Sequence, residues 1–388
     1  MRIFDTTVQL LKRTVRDHFL EYFRTSPIMV FSPGRINLIG EHTDYNKGYV
    51  LPAAIDMGIV MAIQKSMEPL CTATAIDISE TFSFELGQLS PIPKGGWQNY
   101  IMGVISEIQK KGIKTPPFNV VFGGSIPPGA GLSSSAALEN ALVFSLNELF
   151  QLGFSKMEMI LISQAAENNF AGVQCGIMDQ YASMFGQKDA ALFLDCNSLQ
   201  SEVIPIQNDE FTLLLLDTKV KHSLADTAYN ERRDVCYKVA QQLGLASLRD
   251  LDLQTLLENS GQFSENTFQK ALFVLEENAR VLDAVTALRN NDLRAFGTLL
   301  FKSHTGLQHQ YKVSCEELDF LVDMARDSED VLGARMMGGG FGGCTLNLVK
   351  KNKVDSFVKL VIEKYTTRFN HSIASYQVSL AEGTRLIP

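Results

Sequence analysis

Three glycine- and polar-rich segments carry side chains whose types and spacing suit chemistry. The strongest is Pro127-Pro128-Gly129-Ala130-Gly131-Leu132-Ser133-Ser134-Ser135-Ala136. Its glycines let backbone N–H groups turn toward one point, and a following helix would add the positive end of its dipole. The serines offer hydroxyls to phosphate oxygens or to Mg2+. Physically this is a phosphate cradle, although the same residues also fit a tight turn closed by an N-capping serine. The segment contains no G-x-x-x-x-G-K-[ST], which excludes a Walker-type nucleoside triphosphatase.

A second segment runs from Gly34 to Tyr45 and crowds Arg35, Asn37, Glu41, His42, Asp44 and Tyr45 between two expected strands. Such a density of donors and acceptors suits a ligand with many hydroxyls, and a polar hairpin held by an ion pair such as Arg35 to Glu41 is the structural alternative. No other His or Cys stands at ligand spacing from His42, which argues against a metal there. The third, Gly338-Gly339-Gly340-Phe341-Gly342-Gly343, formally satisfies G-x-G-x-x-G. A dinucleotide fingerprint must open a helix, whereas Cys344–Val349 reads as a strand, so that fold is rejected. What remains is a turn whose backbone approaches a site, or a plain β-turn. Two carboxylates complete the set: Glu167 at a helix end and Asp179 in the loop Gly176–Gln180. Each alone reads as a solvated side chain or a cap. Facing the serine loop together, they would supply the oxygen ligands that a metal bound to a triphosphate needs.

The elements that must position these groups follow from periodicity. Val8, Leu11, Val15, Phe19 and Phe23 predict an amphipathic helix over 5–24. Met29–Ser32 and Tyr49–Ile63 read as strands around the second segment, and Phe118–Phe122 as a strand before the serine loop. Helices are expected over 135–150 and 156–168, strand character from Asp195 to Leu216, and helices over 226–243, 265–289, 291–302 and Ser314–Asp327. A helix near 353–366 and a strand near Ser375–Leu380 close the chain. Helices and strands mix without strict alternation, which favours an α+β fold. Without a Pro/Gly/Ser linker, two closely packed units are expected, 1–200 with the first two loops and 201–388 with the third.

Composition narrows the partners. The chain has 388 residues, 45% hydrophobic and 20% charged, with a formal net charge of -8. An acidic chain lacks the basic face of a dedicated nucleic-acid binder. The apolar stretch Val50–Ile63 is broken by Asp56 and falls short of the ~18 residues of a membrane span. Charged residues through Met1–Phe23 interrupt any signal-peptide core. The six cysteines show no C-x-x-C pair and read as reduced, mostly buried thiols. A cytoplasmic protein with neither nucleic-acid nor membrane partners is expected.

Taken in order, the three loops resemble those of the galactokinases, within the GHMP sugar and metabolite kinases. Cys175–Gln180, Tyr229–Arg233, Ser303-His304 and Tyr311–Ser314 support the resemblance, with Met337 standing where the family usually has Thr and Gly306 where it usually has Ser. The resemblance implies a two-lobed GHMP-kinase-type fold with the active site in the cleft, the first lobe carrying the sugar-binding and phosphate-binding loops. It implies transfer of the γ-phosphoryl group of ATP to the anomeric hydroxyl of α-D-galactose, by a monomer. Arg35 and Asp179 correspond to the catalytic pair, and Glu41, His42, Asp44, Gly176, Asp179 and Tyr229 to sugar contacts. Gly129, Gly131, Leu132, Ser133, Ser134 and Ser135 fall on the ATP loop, Trp97 in the adenine pocket, and Ser135 and Glu167 on Mg2+. Asp179 could act by proton abstraction or by electrostatic alignment with late proton transfer. A kinase for N-acetylgalactosamine or arabinose, or a galactose sensor on an inactive scaffold, would share much of this pattern.

Overall fold

The computed structural model describes the backbone of residues 3–93, 95–206, 209–220 and 225–388, and side chains from residue 8 onward apart from those of 225–229. The first half comprises α1 (Ile3–Phe23), β1 (Ile28–Asn37), β2 (Tyr49–Val50), β3 (Pro52–Lys65), β4 (Cys71–Ala75), β5 (Glu80–Phe84), α2 (Trp97–Lys110), β6 (Phe118–Gly124), α3 (Ser134–Phe150), α4 (Lys156–Ala166), α5 (Met178–Phe185) and β7 (Ala190–Asp195). The second comprises β8 (Ser201–Pro205), β9 (Phe211–Asp217), α6 (Ala225–Gln242), α7 (Leu253–Glu258), α8 (Glu265–Arg289), α9 (Leu293–Gly306), α10 (Glu316–Arg326), β10 (Val331–Met336), β11 (Cys344–Lys350), α11 (Val354–Phe369), β12 (Ala374–Val378) and β13 (Arg385–Leu386). Strands assemble in the orders β13-β1-β3-β6-β4-β5, β10-β11-β9-β12 and β2-β7-β8, with β4 and β6 the parallel pair. This is an α+β architecture, as the mixed pattern predicted.

Strand alternation decides which face of the largest sheet meets which helix. Val60 and Ala62 point to one face, where Met29, Phe31 and Val121 join them under Val15 and Phe19 of α1. Met61 and Ile63 point to the other, packing with Val120, Phe122 and the apolar sides of α2, α3 and α4. A further core joins the two halves of the chain, since Ile36, Leu132, Val285, Leu299, Leu346 and Leu380 belong to one buried cluster. The C-terminus returns to the first half: β13 pairs with β1 at Val30–Leu386 and Phe31–Arg385.

The expected strand Tyr49–Ile63 is two strands. At Leu51 the chain leaves the small sheet for the large one, because Leu51 exchanges backbone hydrogen bonds with Leu38 (3.0 Å) and Ile39 (3.1 Å) of the Gly34–Tyr45 segment instead of continuing either ladder. The expected Asp195–Leu216 strand region resolves into the end of β7, then β8 and β9. Asp179, expected in a loop, stands in the first turn of α5, and Glu167, expected to close its helix, opens a π-helical turn, Glu167–Ala171, that continues α4. Such turns re-aim side chains at a helix end.

Candidate active site

The pairing of β1 with β3 slips between Pro33 and Arg35. A bulge of this kind bends the strand and redirects the next side chain. It also receives the serine loop: Arg35 N donates to Leu132 O at 3.1 Å, and a Cβ on Gly34 would lie 2.6 Å from that same carbonyl. From here Arg35, nearly buried, reaches Asp179 through two parallel bonds, Nε to Oδ1 and Nη2 to Oδ2, both 2.8 Å, while Nη1 donates to Gly131 O at 2.6 Å. Bidentate geometry of this sort fixes both position and orientation. Burial pulls the Arg35 pKa down, but Asp179, Glu41 and Asp44 outweigh it and hold the guanidinium above its ordinary value.

Ser133 precedes α3 in the left-handed region at φ 56°, and its hydroxyl donates to Asp179 Oδ2 rather than capping the helix. The N-capping alternative is thereby set aside. No acidic residue occupies the first turn of α3, so the positive end of its dipole faces a cavity of about 220 Å³. That cavity is lined by Arg35, by Ile126, Pro127 and Gly129–Ser135, and, from the far end of the chain, by Gly338 and Gly339. The serine loop, Arg35 and the third glycine loop thus form one concave surface.

The Glu41 carboxylate lies deep in the Gly34–Tyr45 segment, with Oε1 accepting from Arg335 Nη2 and from Gly338 N, each at 2.8 Å. His42, at φ 62°, is also buried; its Nδ1 pairs with the Tyr45 hydroxyl at 2.8 Å, which meets the Tyr311 hydroxyl at 2.7 Å, which meets Cys236 Sγ at 3.3 Å. Burial lowers the His42 pKa to about 3, so the ring is neutral. Asp44 packs so tightly on Gly176 that any Cβ there would overlap its carboxylate. Burial first, and then the charge of Asp179, raise the Asp44 pKa to about 7.

Behind the serine loop, Glu167 is buried, hydrogen-bonded by the Ser135 side chain and by Gln180 Nε2 at 2.7 Å, and raised by burial to about 7. Glu139, one turn along α3 from Ser135, is fully buried, with Gln180 Nε2 3.3 Å from its Oε2 and Oε1 unpartnered; burial raises it well above the usual carboxylate range. Trp97 is not in the cavity wall: its ring stands edge-on to Phe122 at 5.2 Å and its Nε1 donates to Glu80 at 2.8 Å. Tyr229 belongs to α6, and its side chain lies outside the described residues. The residue reading missed Arg335, Gln180, Glu139 and the Tyr45–Tyr311–Cys236 chain. Of these Arg335 shows as a charge set between Ala334 and Met336 in an apolar strand, and Tyr45, Gln180 and Tyr311 lie in segments that the sequence had already marked.

All six cysteines are free, and none of the helices described is long and apolar enough to cross a membrane. The galactokinase galactose-binding signature matches residues 17–65, the GHMP kinase N-terminal domain 99–187 and the GHMP kinase C-terminal domain 284–365. The chain is 41% identical to a galactokinase of Thermotoga petrophila over 92% of its own length and 99% of that protein's. It is 37% identical to one of Clostridium acetobutylicum over the full length of both. Among solved structures, the Lactococcus lactis galactokinase complexed with galactose superposes with a TM-score of 0.92 at 32% identity, covering 97% of this chain and 99% of that one. A Methanococcus jannaschii mevalonate kinase, at 17% identity and a TM-score of 0.66 over 92% of this chain and all of that one, shares the fold. With a galactose-binding signature lying on the buried Arg35–Asp44 loop, and relatives matched along nearly their whole length, the chain belongs to the galactokinase family of GHMP kinases.

Proposed function

We propose that the protein transfers the γ-phosphoryl group of ATP to the anomeric hydroxyl of α-D-galactose, giving galactose 1-phosphate and ADP. The observation that carries this reading is the Arg35–Asp179 pair, in which Arg35 lines the serine-loop cavity and Asp179 is also held by Ser133 of that loop. One carboxylate is thereby fixed beside both a cation and a phosphate cradle.

Phosphoryl transfer asks a protein chiefly to align groups and to neutralise the moving charge. Asp179 orients the sugar hydroxyl and takes its proton as the new P–O bond forms. Arg35 faces the charge that develops on the transferred phosphoryl, and the N–H groups opening α3 hold the triphosphate. Glu41, His42, Asp44, Gly176 and Tyr229 are proposed to shape the sugar side, and Trp97 the adenine side. The division into an N-terminal lobe of 1–200 and a C-terminal lobe of 201–388 is proposed with them, the final strand crossing back.

The donor set fits Mg2+. Ser135 and Glu167 offer a hydroxyl and a carboxylate already in contact, both hard oxygen ligands. Among the described residues no group of three or more His, Cys, Asp and Glu side chains is arranged to hold a metal ion. Mg2+ characteristically takes one or two protein carboxylates and completes its shell with phosphates and water. When bound it would neutralise phosphate charge; Ser135 and Glu167 would hold it.

A coupled ADP-release assay with Mg·ATP tests the reading. Galactose is expected to be turned over faster than N-acetylgalactosamine, arabinose and glucose. Absence of ADP release with galactose overturns it.

A further inference from the structure

We propose that Arg335 is a positioning residue that ties the sugar-side carboxylate Glu41 to the nucleotide-side glycine Gly338, so that sugar and nucleotide bind with coupled affinities. The inference rests on the sugar-kinase reading above and extends it to a residue outside both ligand sites.

Arg335 projects from β10 with no exposed side-chain surface, yet it carries a full charge. Its guanidinium is spent wholly on the sugar loop and its own strand. Nε donates to Leu38 O at 2.8 Å, Nη1 to Met336 O at 2.8 Å, and Nη2 to Asn37 O at 2.5 Å and Glu41 Oε1 at 2.8 Å. A buried cation is costly unless paired and hydrogen-bonded throughout, and only the planar fork of arginine reaches so many acceptors at once. The arrangement therefore specifies one position for the Leu38–Glu41 backbone relative to β10.

The consequence lies in which Glu41 oxygen is used. Oε1 receives both Arg335 and the Gly338 N–H, leaving Oε2 as the oxygen for a ligand. Gly338 and its neighbour Gly339 are in turn the wall of the phosphate cavity opposite the serine loop. Gly338, Gly340, Gly342 and Gly343 all have positive φ, a backbone course that glycine takes without strain. A sugar hydroxyl that fixes Glu41 through Oε2 thus fixes the Gly338 N–H through Oε1, ordering the nucleotide wall before the nucleotide arrives. By linkage the effect is reciprocal.

The test is calorimetric titration of Mg·AMP-PNP into the full-length protein with and without saturating galactose. Wild type is expected to bind the analogue about 5-fold or more tightly with galactose present. Arg335→Lys, which keeps the charge but loses the fork, is expected to bring that ratio close to one and to raise KM for both substrates more than it lowers kcat. A purely structural role would weaken each ligand while leaving the ratio intact, and that result overturns the proposal, as does a wild-type ratio of one. Should Arg335→Lys not fold, hydrogen exchange on wild type decides the matter. Galactose alone is expected to slow exchange in the peptide containing Gly338–Gly343 several-fold, and unchanged exchange there overturns the coupling. Absence of galactose binding to wild type refutes the sugar reading, and the coupling with it; binding without coupling refutes only the latter.

Discussion

Arg35 and Asp179 stand 144 positions apart in the chain and meet side by side, through two hydrogen bonds of 2.8 Å. Replacing Asp179 by Asn preserves the shape of the pair but removes its charge and its capacity to take a proton. Turnover is expected to fall by about 10²–10³-fold, the range seen when one preorganised electrostatic partner of a transition state is lost. Steady-state kinetics with galactose and Mg·ATP measure it, and near-normal kcat with unchanged sugar affinity would eliminate proton abstraction by Asp179.

Gly176 lies against Asp44 so closely that a methyl group would occupy the carboxylate's place. Gly176→Ala is expected to displace Asp44, raising KM for galactose about 10-fold and destabilising the fold by about 1–3 kcal/mol, as overpacking does. KM for ATP should change little. Equal rises in both constants would show that the strain spreads beyond the sugar side.

The Asp44 carboxyl, raised to about 7 by burial and by Asp179, gives a signed pH prediction. Between about pH 4 and 7 the folded state holds a proton that the unfolded state has released, so this group's contribution to stability is largest at low pH and declines as pH rises through 7. His42, depressed to about 3, acts oppositely, since its contribution is present above about 6.5 and is lost on acidification. Asp44→Asn removes only the first slope. The stability of wild type minus variant should therefore fall with rising pH by up to ~1.4 kcal/mol per unit in that window and level off above it. Urea unfolding from pH 4.5 to 8 measures the difference, and a flat difference contradicts the assignment.

Glu167→Gln keeps a partner for Ser135 and Gln180 but loses the anionic oxygen proposed for Mg2+. The free Mg2+ concentration for half-maximal turnover is expected to rise about 10-fold or more, a typical cost for disturbing a metal site. An unchanged Mg2+ requirement would place the ion elsewhere.

Tyr311 is fully buried and bonds the Tyr45 hydroxyl that holds His42. Tyr311→Phe leaves that buried chain short of one partner, at a cost of about 1–3 kcal/mol in thermal or urea unfolding. A loss within a few tenths of a kcal/mol would mean that Cys236 and Tyr45 close the gap between them.

The sequence alone determined where the glycine- and polar-rich loops lie. Glycine takes the positive φ at Gly129, Gly131, Gly338, Gly340, Gly342 and Gly343 without strain, and a run of serines opening a helix is a local pattern. Periodicity likewise marked α1, which buries one stripe of apolar side chains, whereas α3 is buried at every residue from Ala136 to Val143. The places where local reading failed are those where distant chain decides. Leu51 breaks its strand because Leu38 and Ile39 take its hydrogen bonds, Ser133 gives its hydroxyl to Asp179 instead of to its own helix, and Asp179 stands on a helix. Arg335 belongs to the same class, for nothing near it in sequence explains a buried charge. Its acceptors are the Asn37 and Leu38 carbonyls and the Glu41 carboxylate, and they reach it only because β1 and β10 fold against one core. Loop chemistry is written residue by residue; burial, charge pairing and the choice of partner oxygen are long-range energies that exist only once the chain has closed on itself.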